Sequence, residues 1–387
     1  MDKIFNVVYT GSFQFPEGMA GTKRVNNLFL SDNAKSSVLL INNTNRNPKK
    51  GVSGEIKYYT IFKCKSKILN ILLSPFLLLI GYFKLVSLFD KTYSKNVLYV
   101  YSGINIENIF LVLLAKLKGF KIIVDIVEDF SLNEEKVSKW RGMKLRSNIF
   151  FEKKLSYLVD GIVVISEYLN EKFTHYKNLP TILLPISASN IELEERKRPS
   201  IYQDGYTHLL YSGTYGKKDG FYYILNAVEK LVKTDKNIKL VLTGTIPQMV
   251  LKELLARKLD KFILSTGFLL EDEYYKILPH SDVLLMTRIN SKYANAGFPF
   301  KLGEYLASKS PVIATEVSDV KFYLKNHDSA YLIEPDSSEE ILNAIKTILE
   351  DKDKASKVGV NGHLVAKRYF NPIIHRKQLA EFIKLNF

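Results

Sequence analysis

Short apolar runs alternate with longer amphipathic segments along most of the chain. Alternation of this kind is typical of βαβ units around a parallel sheet. The runs are almost continuously apolar, as expected for strands that are covered by helices on both faces. The predicted strands are Ile4–Tyr9, Val38–Asn42, Val97–Tyr101, Lys121–Ile126, Gly161–Ile165, His208–Ser212, Lys239–Leu242, Phe262–Ser265, Val283–Thr287, Val312–Thr315 and Tyr331–Ile333.

Residues 187–206 interrupt this alternation, because they are polar, charged and contain Pro199 and Gly205. We interpret them as a linker between two α/β domains. The predicted domains are residues 1–190 and residues 207–368, followed by a helix in residues 369–387. Two doubly wound domains that face each other form a cleft, and ligands bind such folds at the carboxyl ends of the strands.

The composition is that of an ordinary globular protein, but the formal net charge is +15. Nucleic acid, an anionic membrane surface and a phosphorylated substrate all fit this charge. No helix carries a dense stripe of Lys and Arg, so a basic nucleic-acid-binding protein is only an alternative. Cys64 is the single cysteine, which excludes a disulfide framework within the chain and fits a cytoplasmic protein. No signal peptide is apparent.

The longest apolar run, Ile68–Phe83, lies beside Lys63, Lys65 and Lys67. It is short for a transmembrane helix of about 20 residues. A buried helix of an α/β domain and a helix on a membrane surface both remain open as interpretations. The second would place the protein peripherally at the inner face of the cell membrane.

Two glycine-containing turns follow predicted strands. Gly11, Gly18 and Gly21 lie between the first strand and a helix that begins near Lys23 and Arg24, where an anion or plain solvent could be the partner. Exposed amides and the amino end of a helix favour anions.

The second turn contains Gly213 and Thr214, followed by Lys217 and Lys218 before a helix that opens near Asp219. It could hold a diphosphate or be a solvated turn.

Three carboxylates, Asp125, Glu128 and Asp129, follow the strand Lys121–Ile126. They could accept a proton, hold sugar hydroxyls, or serve as loop charges and a helix cap. No His–carboxylate ligand spacing accompanies them, so we expect no metal site and no cofactor. A nucleophile elbow of the form G-x-S-x-G is also absent.

The stretch "SDVLLMTRINSKYANAGFPFKLGEYLASKSPVIAT" carries more candidate chemistry. Arg288 follows a strand, and Glu304 lies inside the helix predicted for Phe300–Ser308. A carboxylate suits the vicinal diol of a ribose. Arg288 and Lys301 are placed to meet phosphate charge. Alternatively, Glu304 pairs with Lys301 on an exposed helix face.

With these motifs the chain resembles the family 4 glycosyltransferases of the GT-B fold over nearly its whole length. The similarity is densest in "GTYGKKDGFYYILNAVEKL", "SDVLLMT" and "GFPFKLGEYLASKSPVIAT", and "LVDGIVVISEYL" also resembles the family. The resemblance implies two Rossmann-like domains facing a cleft, with a C-terminal helix crossing back to the first domain. It also implies retaining transfer from a nucleoside-diphosphate sugar.

The sequence departs from the family at two motifs. The family's donor site has two glutamates separated by seven residues; Glu304 matches the second, but Ala296 occupies the first. Asn295 is a candidate replacement. The family's Arg and Lys of the phosphate turn correspond to Thr214 and Asp219, and Lys217, Lys218 and Arg288 are candidates to replace them. An inactive partner subunit and a GT-B epimerase or hydrolase therefore stay open.

By resemblance we expect transfer of a sugar to a glycan or lipid-linked acceptor in bacterial surface polysaccharide biosynthesis. The candidate catalytic residues are Glu128, Asp129, Lys218 and Arg288. The candidate donor-binding residues are Gly11, Gly21, Gly213, Thr214, Lys217, Asn295, Gly297, Phe298, Lys301, Leu302 and Glu304.

Overall fold

The computed structural model describes residues 4–31, 33–43, 47–62, 79–133, 138–174, 179–189, 191, 197–202 and 205–387. The chain forms two compact units. The first consists of Met1–Pro185 together with Pro372–Phe387, and the second of Ile186–Asn371. The domain boundaries predicted from the sequence, 1–190, 207–368 and 369–387, remain predictions, because this division into compact units does not test them.

The first unit is built on an eight-stranded sheet in the order β3-β4-β2-β1-β5-β6-β7-β8. All neighbouring strands are parallel except β3 and β4, which are antiparallel. The strands are β1 (Phe5–Gly11), β2 (Ala34–Asn42), β3 (Lys50–Ser53), β4 (Ile56–Phe62), β5 (Lys95–Tyr101), β6 (Lys121–Ile126), β7 (Gly161–Val164) and β8 (Thr181–Leu183). The strand order reverses between β1 and β5.

Helices connect these strands. They are α1 (Ala20–Asn27), α2 (residues 79–88), α3 (Ile109–Lys118), α4 (Lys139–Glu152), α5 (Leu155–Leu158) and α6 (Glu167–Thr174). The side chains of the core strands β5, β6 and β7 are buried along nearly their whole length. This burial explains why their sequences are almost continuously apolar.

The second unit is built on a six-stranded sheet in the order β11-β10-β9-β12-β13-β14, with every pair parallel. The strands are β9 (Thr207–Ser212), β10 (Ile238–Thr243), β11 (Ile263–Gly267), β12 (Val283–Met286), β13 (Val312–Thr315) and β14 (Tyr331–Ile333). Following the chain, β10 and β11 are added on one side of β9, and β12, β13 and β14 are then added on its other side. The switch point of this Rossmann-type order therefore lies between β9 and β12.

The helices of the second unit are α7 (Phe221–Thr234), α8 (Gln248–Ala256), α9 (Glu271–Ile277), α10 (Lys292–Ala296), α11 (Phe300–Ala307), α12 (Val320–Tyr323), α13 (Ser338–Glu350) and α14 (Lys352–Tyr369). The last helix, α15 (Pro372–Asn386), belongs to the first unit and packs there against α1. Arg376 Nε donates a hydrogen bond to the Asn27 carbonyl, at 3.1 Å.

Each predicted strand overlaps an observed one, so the α/β architecture with two parallel-sheet units is confirmed. The prediction missed β3, β4 and β8. The segments of β3 and β8 have only four and three residues, and β4 mixes polar and apolar positions near the sheet edge. The described residues of the predicted linker form neither helix nor strand.

The predicted membrane-surface segment lies mostly outside the described residues. Lys63, Lys65, Lys67 and the first part of the apolar run fall in residues 63–78, which the structure does not describe. Within α2, the side chains of Leu79, Ile80 and Phe83 are exposed. Among the described helices, none has both the length and the apolar character needed to cross a membrane.

Candidate functional site

The loop after β9 makes a compact turn at the switch point of the second sheet. A Cβ at Gly213 would lie 2.1 Å from the Tyr211 hydroxyl, so only glycine fits there without movement of its neighbour. Tyr215 has a positive φ of 57°. A 3₁₀ turn, Lys217–Asp219, and Gly220 at φ 66° then lead into α7. This backbone turns tightly at the carboxyl edge of the sheet, where such folds bind ligands.

The loop after β9 is joined to the loop after β12. Ile289 donates its backbone N–H to the Lys218 carbonyl, at 3.1 Å. The Thr287 hydroxyl donates to the Asp219 carbonyl, also at 3.1 Å. The Lys218 ammonium lies 5.0 Å from the centre of the Tyr293 ring. Lys218 therefore lies beside the segment that carries Arg288, although the two residues are far apart in sequence.

Arg288 is anchored at the carboxyl end of β12. Its backbone N–H donates to the Thr315 hydroxyl at 2.8 Å, and its Nη1 donates to the Ala294 carbonyl at 3.3 Å. A guanidinium has five N–H donors, and the contact with the Ala294 carbonyl uses one of them. Lys218 and Arg288 thus lie in the loops that follow the two strands flanking the switch point.

Glu304 lies within α11 and is only 5% exposed. The alternative that it lies on an exposed helix face is therefore wrong. The Tyr275 hydroxyl lies 2.8 Å from Oε1 of Glu304 and 2.8 Å from Oε1 of Glu271. Burial, with the charges of Glu304 and Glu271, raises the pKa of Tyr275 far above its usual value. The hydroxyl consequently stays protonated and can donate to one carboxylate at a time.

Helix α11 is fixed against the end of β9. The Ser212 N–H donates to the Tyr305 hydroxyl at 3.0 Å, one residue before the tight turn at Gly213. Because Tyr305 follows Glu304 directly, the helix that carries the carboxylate packs against the strand that carries the turn.

Among the other predicted donor-binding residues, Phe298 and Leu302 have buried side chains. Phe298 packs against Tyr323 and Phe370. Any contact of Phe298 or Leu302 with a ligand would therefore be made by the backbone. Lys301, in the first turn of α11, is half-buried.

Gly297 also has a structural partner, since its carbonyl accepts a hydrogen bond from the Ser318 hydroxyl at 2.5 Å. This contact ties the start of the α10–α11 connection to the segment that follows β13.

Ala296 and Asn295 do not supply a second carboxylate. Ala296 is fully buried at the end of α10. The Asn295 amide donates to Asn290 Oδ1 at 2.8 Å, and its carbonyl oxygen accepts from the Ser318 N–H at 2.9 Å. The side chain of Asn295 therefore connects two loops, and holding a sugar hydroxyl would require it to exchange these partners.

Thr214 and Asp219, at the positions of the family's Arg and Lys, bind each other. The Thr214 hydroxyl donates to Asp219 Oδ2 at 2.7 Å. The turn thus carries a carboxylate at a position where the resemblance implied a lysine. The positive charge that a diphosphate needs would have to come from Lys217, Lys218 and Arg288.

In the first unit, the Asp129 carboxylate is buried and bound by neighbouring groups. It is 1% exposed and caps a 3₁₀ turn, accepting from the Ser131 N–H at 3.0 Å and pairing with Lys172 at 2.8 Å. Burial alone would raise the pKa of Asp129, but the hydrogen bonds from Lys172 and Ser131 hold that pKa below its usual value. A carboxylate whose pKa is lowered is a weaker proton acceptor, and the catalytic role predicted for Asp129 stays a prediction.

Glu128 lines a small pocket in the first unit. Its wall includes Ser102, Asn148 and Glu152, at the carboxyl ends of β5 and β6 and along α4. Asp125 and Asp129 are held in ion pairs, and Glu128 is the predicted carboxylate that lines this pocket; its catalytic role stays a prediction.

The anion contact considered for Arg24 is wrong, because Arg24 and Asp125 form a buried ion pair. The guanidinium donates to both carboxylate oxygens, at 2.7 and 2.9 Å, and also to the carbonyls of Leu184 and Pro185. Both side chains are almost completely buried, at 2% and 0% exposed. The pair connects α1, β6 and the chain that leaves β8.

Gly11 and Gly21 have a packing explanation. A Cβ at Gly11, where φ is +125°, would lie 2.2 Å from the Tyr101 carbonyl oxygen. A Cβ at Gly21 would lie 2.8 Å from the Tyr101 ring. Both glycines let α1 and its loop approach the end of β5 closely. Their predicted contact with a donor stays a prediction.

Comparison with known proteins gives one family match. Residues 206–351 match the family model described as "Glycosyl transferases group 1". This match lies within the second unit and covers less than half of the chain. No curated protein sequence matches the chain.

Solved structures show the fold over the whole chain. Sucrose-phosphate synthase of Thermosynechococcus elongatus is 15% identical, with 98% of each chain covered and a TM-score of 0.71. HepE of Anabaena in complex with UDP-glucose is 14% identical, covering 98% of this chain and 99% of HepE, with a TM-score of 0.70. A glycosyltransferase from Rickettsia africae is 15% identical, covering 99% and 98%, with a TM-score of 0.70. The fold is that of GT-B glycosyltransferases.

Sequence reasoning missed Tyr275. It contacts Glu304 from a position 29 residues earlier in the chain. Nothing in the local pattern of α9 distinguishes Tyr275 from the neighbouring buried Tyr274. For metals, the described residues contain no group of three or more His, Cys, Asp or Glu side chains that could hold an ion.

Proposed function

We propose that the protein transfers a sugar from a nucleoside-diphosphate sugar to a hydroxyl of a glycan or lipid-linked acceptor. The observation that carries this proposal is the arrangement at the switch point of the second sheet. There, the tight turn at Gly213, the cations Lys218 and Arg288, and the helix of Glu304 are joined by direct contacts. HepE, which shares the fold, has been solved with UDP-glucose.

Each group has a role in this proposal. Glu304, held by Tyr275, accepts hydrogen bonds from the ribose diol. Lys218 and Arg288, with the amides of the turn, stabilise the diphosphate as it leaves and gains negative charge. Glu128, at the pocket of the first unit, is the candidate for contact with a sugar or acceptor hydroxyl.

By its family resemblance the reaction retains the configuration of the sugar and needs no protein nucleophile. No metal or other cofactor is part of the proposal. A cytoplasmic location and a role in surface polysaccharide biosynthesis are further parts of it.

The experiment begins with a thermal-shift panel of UDP-, GDP- and ADP-sugars. A ligand at 100 times its Kd stabilises the native state by about 2.7 kcal/mol, so the correct donor should stand out. The stabilising donor is then incubated with and without glycan and lipid-linked acceptors, and products are identified by mass spectrometry.

Acceptor-dependent sugar transfer is the expected result. Release of free sugar at the same rate with every acceptor would instead indicate a hydrolase, and an altered sugar nucleotide would indicate an epimerase. If no donor stabilises the protein or reacts, the proposed function is wrong and an inactive partner subunit becomes the better interpretation, given Ala296.

A further inference from the structure

Helix α3 is apolar on two sides. Its inner side is buried, with Ile109, Leu111, Val112 and Ala115 facing the sheet. Its outer side carries Phe110, Leu113 and Leu117, which are 55%, 41% and 85% exposed. Their spacing of three and four residues places them on one helix face. A helix that is apolar all round is normally buried, so the outer face of α3 indicates a missing partner.

Helix α4 presents a second apolar stripe beside the first. Trp140, Met143 and Phe150 are exposed, and Ser147 lies in line with them at helical spacing. The Ser147 hydroxyl accepts from the N–H of Ile106, which is itself exposed and begins the stripe of α3.

A second contact joins the two stripes, because the Trp140 indole N–H donates to Glu107, at 3.4 Å. We name the joint surface the α3–α4 face, formed by Ile106, Phe110, Leu113, Leu117, Trp140, Met143 and Phe150.

The charges around the α3–α4 face are almost all positive. Exposed cations on the two helices and just beyond are Lys116, Lys118, Lys139, Arg141, Arg146, Lys153 and Lys154. The acids within residues 106–118 and 139–154 are Glu107 and Glu152. Glu107 pairs with Lys144, and Glu152 pairs with Lys172. Within residues 106–118 and 139–154 the exposed cations therefore outnumber the acids, and both acids are paired.

We propose that the α3–α4 face docks on an anionic lipid bilayer. Exposed Phe, Leu and Trp side chains enter the interfacial layer of the membrane, and the surrounding Lys and Arg residues meet anionic headgroups. A second copy of the chain is a poorer partner, because it would bring two positive rims together. This face is distinct in sequence from residues 63–83, and it does not depend on the proposed enzymatic function.

The test is sedimentation of the full-length protein with vesicles of phosphatidylcholine alone and of phosphatidylcholine with phosphatidylglycerol. We expect binding to the anionic vesicles that falls as salt is raised. The variant Phe110→Ser/Leu117→Ser should bind at least about tenfold more weakly, because it removes two large apolar side chains. The variant Lys139→Gln/Arg141→Gln should lose about fivefold per charge.

Matched controls separate this surface from others. Leu255→Ser/Leu364→Ser replaces two exposed leucines of the second unit, 63% and 57% exposed, and should bind vesicles as the wild type does. Lys63→Gln/Lys65→Gln/Lys67→Gln should also retain binding. The substituted positions that the structure describes are all exposed, so we expect these variants to fold. Thermal unfolding of each variant checks this.

Three results would overturn the proposal. One is equal binding of the wild type to neutral and anionic vesicles. Another is unchanged vesicle binding by Phe110→Ser/Leu117→Ser. The third is sedimentation equilibrium showing a dimer that this variant abolishes, which would assign the face to a second copy of the chain.

Discussion

The Tyr275 hydroxyl lies 2.8 Å from Oε1 of Glu304 and connects α9 to the helix that carries the proposed ribose ligand. A carboxylate that must accept hydrogen bonds from a diol benefits from a fixed rotamer, because less conformational entropy is then lost on binding. Tyr275 is therefore a positioning residue in the account, acting through Glu304 rather than on the substrate.

Tyr275→Phe should raise the donor KM about 2–10-fold with little change in kcat, as expected for one lost hydrogen bond. Glu304→Gln should weaken donor binding by about 1–2 kcal/mol, since a neutral amide is a weaker acceptor than a carboxylate. Steady-state kinetics measure both changes. Adding Tyr275→Phe to Glu304→Gln should cost little more, because the two residues act through one contact.

The matched control is Tyr222→Phe, which removes a hydroxyl from a half-buried tyrosine on α7. Equal effects of Tyr222→Phe and Tyr275→Phe on KM, or fully additive effects of Tyr275→Phe and Glu304→Gln, would remove Tyr275 from its positioning role.

Gly213→Ala should disrupt the turn after β9. The new Cβ would lie 2.1 Å from the hydroxyl of Tyr211, whose side chain is buried. Overpacking of this kind costs about 1–3 kcal/mol of stability. A displaced turn should also lower donor affinity by about tenfold to a hundredfold, because small misplacements of binding groups are costly. Thermal unfolding and donor titration measure the two effects.

Gly216→Ala is the control in the same loop. Its new Cβ would meet its nearest neighbours, in Thr214 and Asp219, at 3.5 and 3.6 Å, which is ordinary contact. Its unfolding and donor binding should stay close to those of the wild type. If Gly213→Ala also behaves like the wild type, the close approach to Tyr211 is not what requires glycine.

Arg24→Met should destabilise the first unit by about 3–5 kcal/mol, because it leaves the Asp125 carboxylate buried without its partner. Arg24→Met/Asp125→Leu should be less destabilised than Arg24→Met, since it leaves no buried charge. Lys121→Met, which breaks a partly exposed pair with Asp160, should have a much smaller effect. Denaturant unfolding measures the stability of each variant and so checks this ranking. If Arg24→Met/Asp125→Leu is no more stable than Arg24→Met, the prediction is contradicted.

His208 should make the stability of the second unit depend on pH. Its ring is fully buried, stacks on Tyr202 at a centroid distance of 4.2 Å, and has no hydrogen-bond partner for either nitrogen within the part of the chain that the structure describes. Burial lowers the pKa of His208. As the pH falls below the ordinary histidine pKa of about 6.5, the unfolded state gains the proton first, so stability falls.

His208→Phe keeps a ring against Tyr202 and removes the titrating group. The midpoint of thermal unfolding should fall less between pH 7.5 and pH 5.5 in this variant than in the wild type. Equal losses in the two proteins would show that His208 does not contribute to the acid sensitivity in this range.

The sequence predicted the parts of the fold that depend on local pattern. Buried strands such as β6 and β13 are continuous apolar runs, and their bounds were predicted correctly. The edge strand β3 and its antiparallel neighbour β4 were missed because strands near a sheet edge need fewer apolar residues. The switch point between β9 and β12 depends on strand order, which periodicity does not encode.

The candidate site was predictable only where a motif marks it. Gly213, Arg288 and Glu304 stand out by their place after strands and in a helix. The pairing of Arg24 with Asp125 joins residues 101 positions apart, and the contact of Tyr275 with Glu304 depends on how α9 packs beside α11. Contacts of that kind follow from the tertiary structure and have no local signal.

The central claim is that Lys218 and Arg288 hold the diphosphate of the donor, and titration calorimetry with UDP, GDP and ADP tests it most directly. We expect one of these nucleotides to bind the wild type. Lys218→Ala and Arg288→Ala should each weaken that binding by about tenfold or more, as expected for a lost charge-assisted hydrogen bond. Lys252→Ala, at an exposed lysine of α8, should leave the affinity unchanged. Binding of the same nucleotide to Lys218→Ala and Arg288→Ala with wild-type affinity would contradict the account.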